Sequence, residues 1–167
     1  MKRLTIINEF KTADNVYLSS FYPIRIEYDN LTYRSAESAY WAQKCTDFHE
    51  KVGFMKLTGI EARRLGRTIH REDWNEQTAL YTMYLVNKTK FDQHLDLKEK
   101  LLSTGDLPLV NGNLYGDAYW GFDVYRQTGR NMLGKILMRI RKEYSGSIEQ
   151  QHFMENSGVS KENNNER

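Results

Sequence analysis

Between residues 76 and 93 the chain places Leu80, Met83, Tyr84 and Phe91 near one face of a helical projection, and Leu133, Ile136, Leu137, Ile140 and Tyr144 repeat that spacing near the end. Two amphipathic helices must bury their apolar stripes, so the chain is committed to a helical core. Strand pattern is confined to short pieces. Leu4 to Ile7 reads as one strand, and Ile24 to Tyr28, the pair Asp29-Asn30 and Leu31 to Arg34 read as a β-hairpin. Ser35 is placed to cap a helix over Ala36 to Cys45, and Thr58 one over Ile60 to Gly66. Leu109-Val110 is a short strand in a segment, Gly105 to Arg130, that holds five glycines and Pro108. A loop of that length in a small domain is often functional. The expected fold is α+β, a predominantly helical single domain with a small antiparallel sheet.

The 167 residues carry 24 Lys+Arg against 22 Asp+Glu, a formal charge of +2 that gives no field for general nucleic-acid or membrane-surface binding. One cysteine, Cys45, excludes an internal disulfide framework. With four histidines (His49, His70, His94, His152) and no CxxC, no structural zinc site is expected. Metal-free chemistry in a reducing compartment is the simpler expectation. The first ten residues are basic without an apolar core, and no stretch approaches the 18 apolar residues of a membrane span, so a cytoplasmic protein is expected. Aromatic residues make up 13%, including 11 Tyr and three Trp, which suits a pocket for flat rings and a compact core equally. From Ser145 the chain turns polar and ends in an NNN tract, so residues 1–145 are expected to form the domain and 146–167 a disordered tail.

Three segments carry residues suited to chemistry. On a helix, Glu37, Tyr40, Trp41 and Lys44 fall at i, i+3, i+4 and i+7, which aligns a carboxylate, two rings and an ammonium. The same stripe fits a core helix with charged edges. In GRTIHREDW, Arg67 and Arg71 offer forked donors for phosphate or carboxylate, or belong to a charged helix end. In GDAYWGFDVYRQTGRNMLG, Asp117 and Trp120 precede Gly121, and Gly129-Arg130-Asn131 opens a helix whose first N–H groups suit an anion, or simply a cap.

The runs LSSFYPIRI, YRSAESAYWAQK, GRTIHREDW, KF, LLSTGD and DAYWG with GRNMLGKILMRIR, in that order, resemble the NADAR superfamily of YbiA-like N-glycosidases from about Asn8 to Tyr144. The resemblance implies a hydrolase of N-glycosidic bonds that join ribose to an exocyclic amine of a heterocycle. Two substrate classes follow from it: ribosylamino-pyrimidine intermediates of riboflavin synthesis, and ADP-ribose on guanine in DNA. By position it implies Glu37, Lys44 and Asp117 as catalytic residues. For substrate it implies Ser19 and Phe21 of the first run, Tyr40, Gly66, Arg67, Arg71, Trp74, Trp120, Gly121, Asn131 and Gly134, with Trp74 nearer the core because it abuts the helix beginning at Glu76. The chain departs from the family pattern at Ser20 (commonly Asn), Ser38 (commonly His), Asn111 (commonly acidic) and Phe122 to Gln127 (commonly Gly-rich), positions that bear on the substrate's outer contacts.

Two routes fit these residue types. The exocyclic nitrogen's lone pair can open the ribose to an imine that Lys44 attacks, holding the sugar as a Schiff base until water cleaves it. Alternatively, carboxylates stabilise an oxocarbenium-like state and aim a water, and Lys44 only orients them. Neither needs a cofactor. The expected partner is a nucleotide-like substrate, with no more than a transient DNA contact and no membrane. The competing readings are a non-catalytic module binding ADP-ribose or an NAD metabolite, which would not need Glu37, Lys44 and Asp117 together, and a DNA adaptor using Arg130, Lys135, Arg139, Arg141 and Lys142.

Overall fold

The computed structural model describes residues 7–8, 13–113, 116–123 and 125–156. β1 (Ile7–Asn8) pairs in parallel with β4 (Leu109–Val110). β2 (Ile26–Tyr28) and β3 (Leu31–Tyr33) form the expected antiparallel hairpin, with Ile26 opposite Tyr33 and Tyr28 opposite Leu31. Asp29 and Asn30 both take positive φ (53° and 59°), the backbone that a two-residue hairpin turn requires and that these two residue types tolerate. The remainder of the expected first strand, residues 4–6, lies outside the described residues.

Among the described residues six α-helices follow: α1 (Ala36–Ala42), α2 (Phe48–Gly53), α3 (Gly59–Gly66), α4 (Glu76–Gln93), α5 (Leu95–Ser103) and α6 (Met132–Asn156). Local chemistry sets their starts. The Ser35 hydroxyl accepts the Ser38 amide, and Thr58 and Glu61 close a reciprocal capping box. α2 is capped by Asp47, which accepts the His49 and Glu50 amides. The helical spacing alone marks neither α2 nor α5. α6 runs past the expected domain end at residue 145. The Ser145 and Ser147 hydroxyls donate to the Arg141 and Glu143 carbonyls, so the start of the polar run is absorbed into the helix. Residues 157–167 of the expected tail lie outside the described residues.

α4 runs through the middle, packed by α1, α5, α6 and β2. Met83, Val86 and Phe91 are buried on it, and so are Asn87 and Lys90, because neighbours cover more than one of its faces. The core continues through Leu18, Ile26, Phe54, Leu101 and Leu137. Among the described residues no helix is long and apolar enough to cross a membrane, and no group of three or more His, Cys, Asp or Glu could hold a metal ion.

Candidate active site

Glu37 lies in the first turn of α1 and is 5% exposed. Its amide donates to the Ser20 carbonyl (2.8 Å). Its Oε2 accepts from the Ser20 hydroxyl (2.6 Å) and its Oε1 from the Trp41 indole Nε1 (2.7 Å). Burial pushes the carboxyl above the ordinary range, against the Ser20 and Trp41 bonds and the nearby Arg63 charge, while Asp117 adds to the rise. A carboxyl so placed holds a proton at a pH where an exposed one has lost it, which suits a general acid. Gly59, the first residue of α3, allows the close approach: a Cβ there would lie 2.8 Å from Phe21 and 3.1 Å from the Glu37 Cβ.

One turn on, the Tyr40 ring is ringed by indoles, meeting Trp41 (5.2 Å between centroids), Trp74 (5.5 Å) and Trp120 (5.8 Å) edge-on. Although α1 ends at Ala42, the Gln43, Lys44 and Cys45 amides bond to the Tyr40, Trp41 and Ala42 carbonyls, so the turn continues and keeps Lys44 on the stripe. The Lys44 ammonium lies 5.5 Å from the Trp41 ring centroid and donates to the Gly66 carbonyl (3.0 Å). Partial burial lowers the lysine's pKa. Trp41 therefore joins the two groups, giving its N–H to Glu37 and its ring to Lys44.

Asp117 enters from the loop before α6. Its Oδ1 accepts the Tyr119 (3.2 Å) and Trp120 (2.9 Å) amides, which shapes the turn that presents Trp120, and its charge is felt at Glu37. Gly121 leaves no room for a side chain, since a Cβ would come 2.8 Å from the Asn111 carbonyl.

At the start of α6, where the sequence suits an anion or simply a cap, this loop supplies the cap. The Arg130, Asn131, Met132 and Leu133 amides donate to the carbonyls of Ala118, Gly121, Tyr119 and Trp120. Those donors are filled from within the chain. Asn131 (φ 50°) is a clamp, its Oδ1 accepting the Asn111 amide (2.9 Å) and its Nδ2 donating to the Leu109 carbonyl (2.9 Å). A Cβ at Gly134 would overlap that same carbonyl, so Gly134 seats α6 on β4.

Of the two expected phosphate arms, Arg71 is engaged: it forks onto Asp73 (2.6 and 2.8 Å), donates to the Gln43 carbonyl (2.6 Å) and lies 5.8 Å from the Trp74 ring centroid. Arg67 ends α3 and is exposed. Trp74 is half-buried against the core, as its place beside α4 suggested. Ser19 accepts the Phe21 amide, which holds the strip ahead of α1. Of the basic residues on and just before α6, Arg130 pairs with Glu76 (2.7 Å) and Arg139 with Glu143 (3.0 Å). Arg141 is buried against Thr104 and Leu107. Lys135 and Lys142 stay exposed on α6.

Ser20, which stands between Ser19 and Phe21, shows in the sequence only as a departure from the family pattern, Lys90 shows only within the KF run, and Arg63 shows no signal there. No spacing rule connects Ser20 or Lys90 to Glu37, because Ser20 bonds it from 17 residues away and Lys90 bonds only the Tyr17 and Ser19 carbonyls that precede Ser20. Two cavities of about 430 Å³ lie elsewhere: one beside Pro23, Thr32 and Met55, the other beside Asn15, Tyr22 and Lys100.

Fold and site together define a helical α+β domain that buries a carboxyl beside an aromatic cluster and a partly buried lysine. Residues 8–145 match the family model of the NADAR domain. The NMR structure of the Escherichia coli protein YbiA has a similar fold, with a TM-score of 0.75 at 31% identity over 90% of this chain and 90% of that one. In sequence the chain is 33% identical over 144 residues to N-glycosidase YbiA of E. coli (strain K12), 83% of this chain and 88% of that protein. It is 36% identical over 132 residues to riboflavin biosynthesis protein VVA0006 of Vibrio vulnificus (strain YJ016), 76% of this chain and 35% of that protein. The chain belongs to the NADAR family.

Proposed function

We propose that this protein is an N-glycosidase that hydrolyses the C–N bond between ribose and an exocyclic amine of a heterocycle. The observation that carries the reading is the Glu37–Trp41–Lys44 array: a carboxyl of raised pKa and an amine of lowered pKa joined by one indole, with Asp117 close enough to act on the carboxyl. The names of the relatives, N-glycosidase and riboflavin biosynthesis protein, agree with it.

In the reaction the exocyclic nitrogen's lone pair expels the ribose ring oxygen, giving an open-chain imine at C1. The neutral Lys44 amine adds to C1, and a proton passes to the exocyclic nitrogen from Glu37. The heterocyclic amine departs, leaving a Lys44–ribose Schiff base. Glu37, now a carboxylate, takes a proton from water as the hydroxide adds to C1, and collapse returns the free sugar and the lysine. Trp120 stacks on the heterocycle and Arg67 meets phosphate. Substrates of two origins share this linkage: ADP-ribose on guanine in a DNA strand, and a ribosylamino-pyrimidine phosphate.

The test offers an ADP-ribosylated guanine oligonucleotide and a ribosylamino-pyrimidine phosphate side by side to the wild type and to Glu37→Gln, Lys44→Ala and Asp117→Asn, with and without borohydride. Release of sugar from one substrate, abolished in folded variants, supports the reading and names the substrate. A borohydride-trapped adduct on Lys44 supports the Schiff base. Turnover with no adduct refutes that step and leaves direct displacement through an oxocarbenium-like state. Binding of ADP-ribose without cleavage of either substrate overturns the enzymatic reading in favour of a binding module.

A further inference from the structure

Lys90 sits in the last turn of α4 with 0% exposure. Its ammonium donates to the carbonyls of Tyr17 (2.9 Å) and Ser19 (3.1 Å) and lies 4.6 Å from the Phe91 ring centroid. Among the described residues no carboxylate lies within ion-pair distance of it. A methionine would fill much the same space without the cost of desolvating an amine. What the lysine adds is the pair of bonds to the 17–19 backbone.

That backbone leads directly into Ser20, which holds Glu37 twice: its carbonyl takes the Glu37 amide (2.8 Å) and its hydroxyl donates to the Glu37 carboxylate (2.6 Å). Both holds therefore hang on a turn that Lys90 anchors from beneath. The chemistry of the anchor is self-consistent. A neutral amine has two N–H donors and the site offers two carbonyl acceptors, so both bonds survive loss of the charge. Burial alone pulls the Lys90 amine down to about 7.

We propose that Lys90 is a positioning residue for Glu37: by tying the Tyr17 and Ser19 carbonyls to α4 it places Ser20, and through Ser20 the carboxyl against the Trp41 edge. The proposal rests on the reading of Glu37 as the acid–base group, and its structural half can be measured without substrate.

The experiment compares Lys90→Met, which keeps the length and removes the donors, with Lys90→Gln, which restores two N–H donors on a shorter stem. In Lys90→Met the Glu37 amide should exchange about tenfold faster and the Trp41 indole N–H resonance should move, with Val86 and Ile140 amide protection unchanged. Lys90→Gln should recover part of both, and hydrolysis by Lys90→Met should lose about tenfold in kcat with KM little altered. Unchanged Glu37 and Trp41 signals, or uniform loss of protection through the helices, would overturn the proposal. If Lys90→Met does not fold, the wild type decides: scalar couplings across the hydrogen bonds from the Lys90 amine nitrogen to the Tyr17 and Ser19 carbonyl carbons support it, and their absence overturns it. Glu37→Gln separates the two ideas. Full turnover by that variant refutes the acid–base role of Glu37 and with it the functional half of the proposal, while the exchange data still report whether Lys90 fixes the turn.

Discussion

Gly66→Ala sets two effects of opposite sign against each other. Gly66 is the last residue of α3, where alanine is the better helix former by about 1 kcal/mol. Against that, the new Cβ would lie 2.7 Å from Trp41 Cδ2 and 2.9 Å from its Cβ, and nearer still to Cε3. The indole has little room to retreat, since its N–H is bonded to Glu37 (2.7 Å) and its ring abuts Tyr40 (5.2 Å). Overpacking of this kind costs about 1–3 kcal/mol, so after the propensity gain a net loss of up to about 2 kcal/mol is expected, with the Trp41–Glu37 bond strained or broken. For a chain of this length that lowers Tm by up to roughly 8 °C. Gly53→Ala is the control, because a Cβ there meets nothing within 4 Å and only the propensity gain should appear. Urea unfolding followed by far-UV circular dichroism, with the Trp41 indole N–H resonance read by NMR, measures both effects. A Gly66→Ala protein as stabilised as Gly53→Ala, with the indole signal unmoved, would refute the argument that α3 and α1 meet through a gap only glycine can leave.

Two further perturbations test the site's electrostatics and its scaffold. Glu37 keeps its proton to a higher pH in the fold than the unfolded carboxyl does (about 4.3), so the native state binds more protons above that value and stability falls as pH rises through the folded pKa. Glu37→Gln should remove that slope, and the difference in urea midpoint between variant and wild type should grow from pH 4 to pH 8; parallel profiles would count against the raised carboxyl. Asn131→Ala loses two hydrogen bonds and leaves alanine at φ 50°, a cost of roughly 2–4 kcal/mol, of which Asn131→Gly should recover only the backbone part. An Asn131→Ala protein of wild-type stability that no longer turns over substrate would instead return Asn131 to the substrate.

What depends on neighbours along the chain was legible in the residues themselves. Asp29-Asn30 makes the hairpin because those two side chains tolerate positive φ. Ser35 and Thr58 start their helices by hydrogen bonds to the next turn. The i, i+3, i+4, i+7 stripe of Glu37, Tyr40, Trp41 and Lys44 survives because the turn continues beyond Ala42. The short helices α2 and α5 escaped notice because six and nine residues carry too little period to stand out.

The use each group is put to was decided by tertiary structure. The α6 amides looked free for an anion, and the carbonyls of residues 118–121 filled them. Arg71 looked like a phosphate arm until Asp73 and the Gln43 carbonyl engaged it. Ser20 and Lys90 acquired their importance only when the chain before α1 was laid across α4. Caps, turns and helical stripes are written in residues a few positions apart, whereas burial and hydrogen bonding between residues 17, 71 or 73 positions apart have no period, so they exist only once the core has brought those residues together.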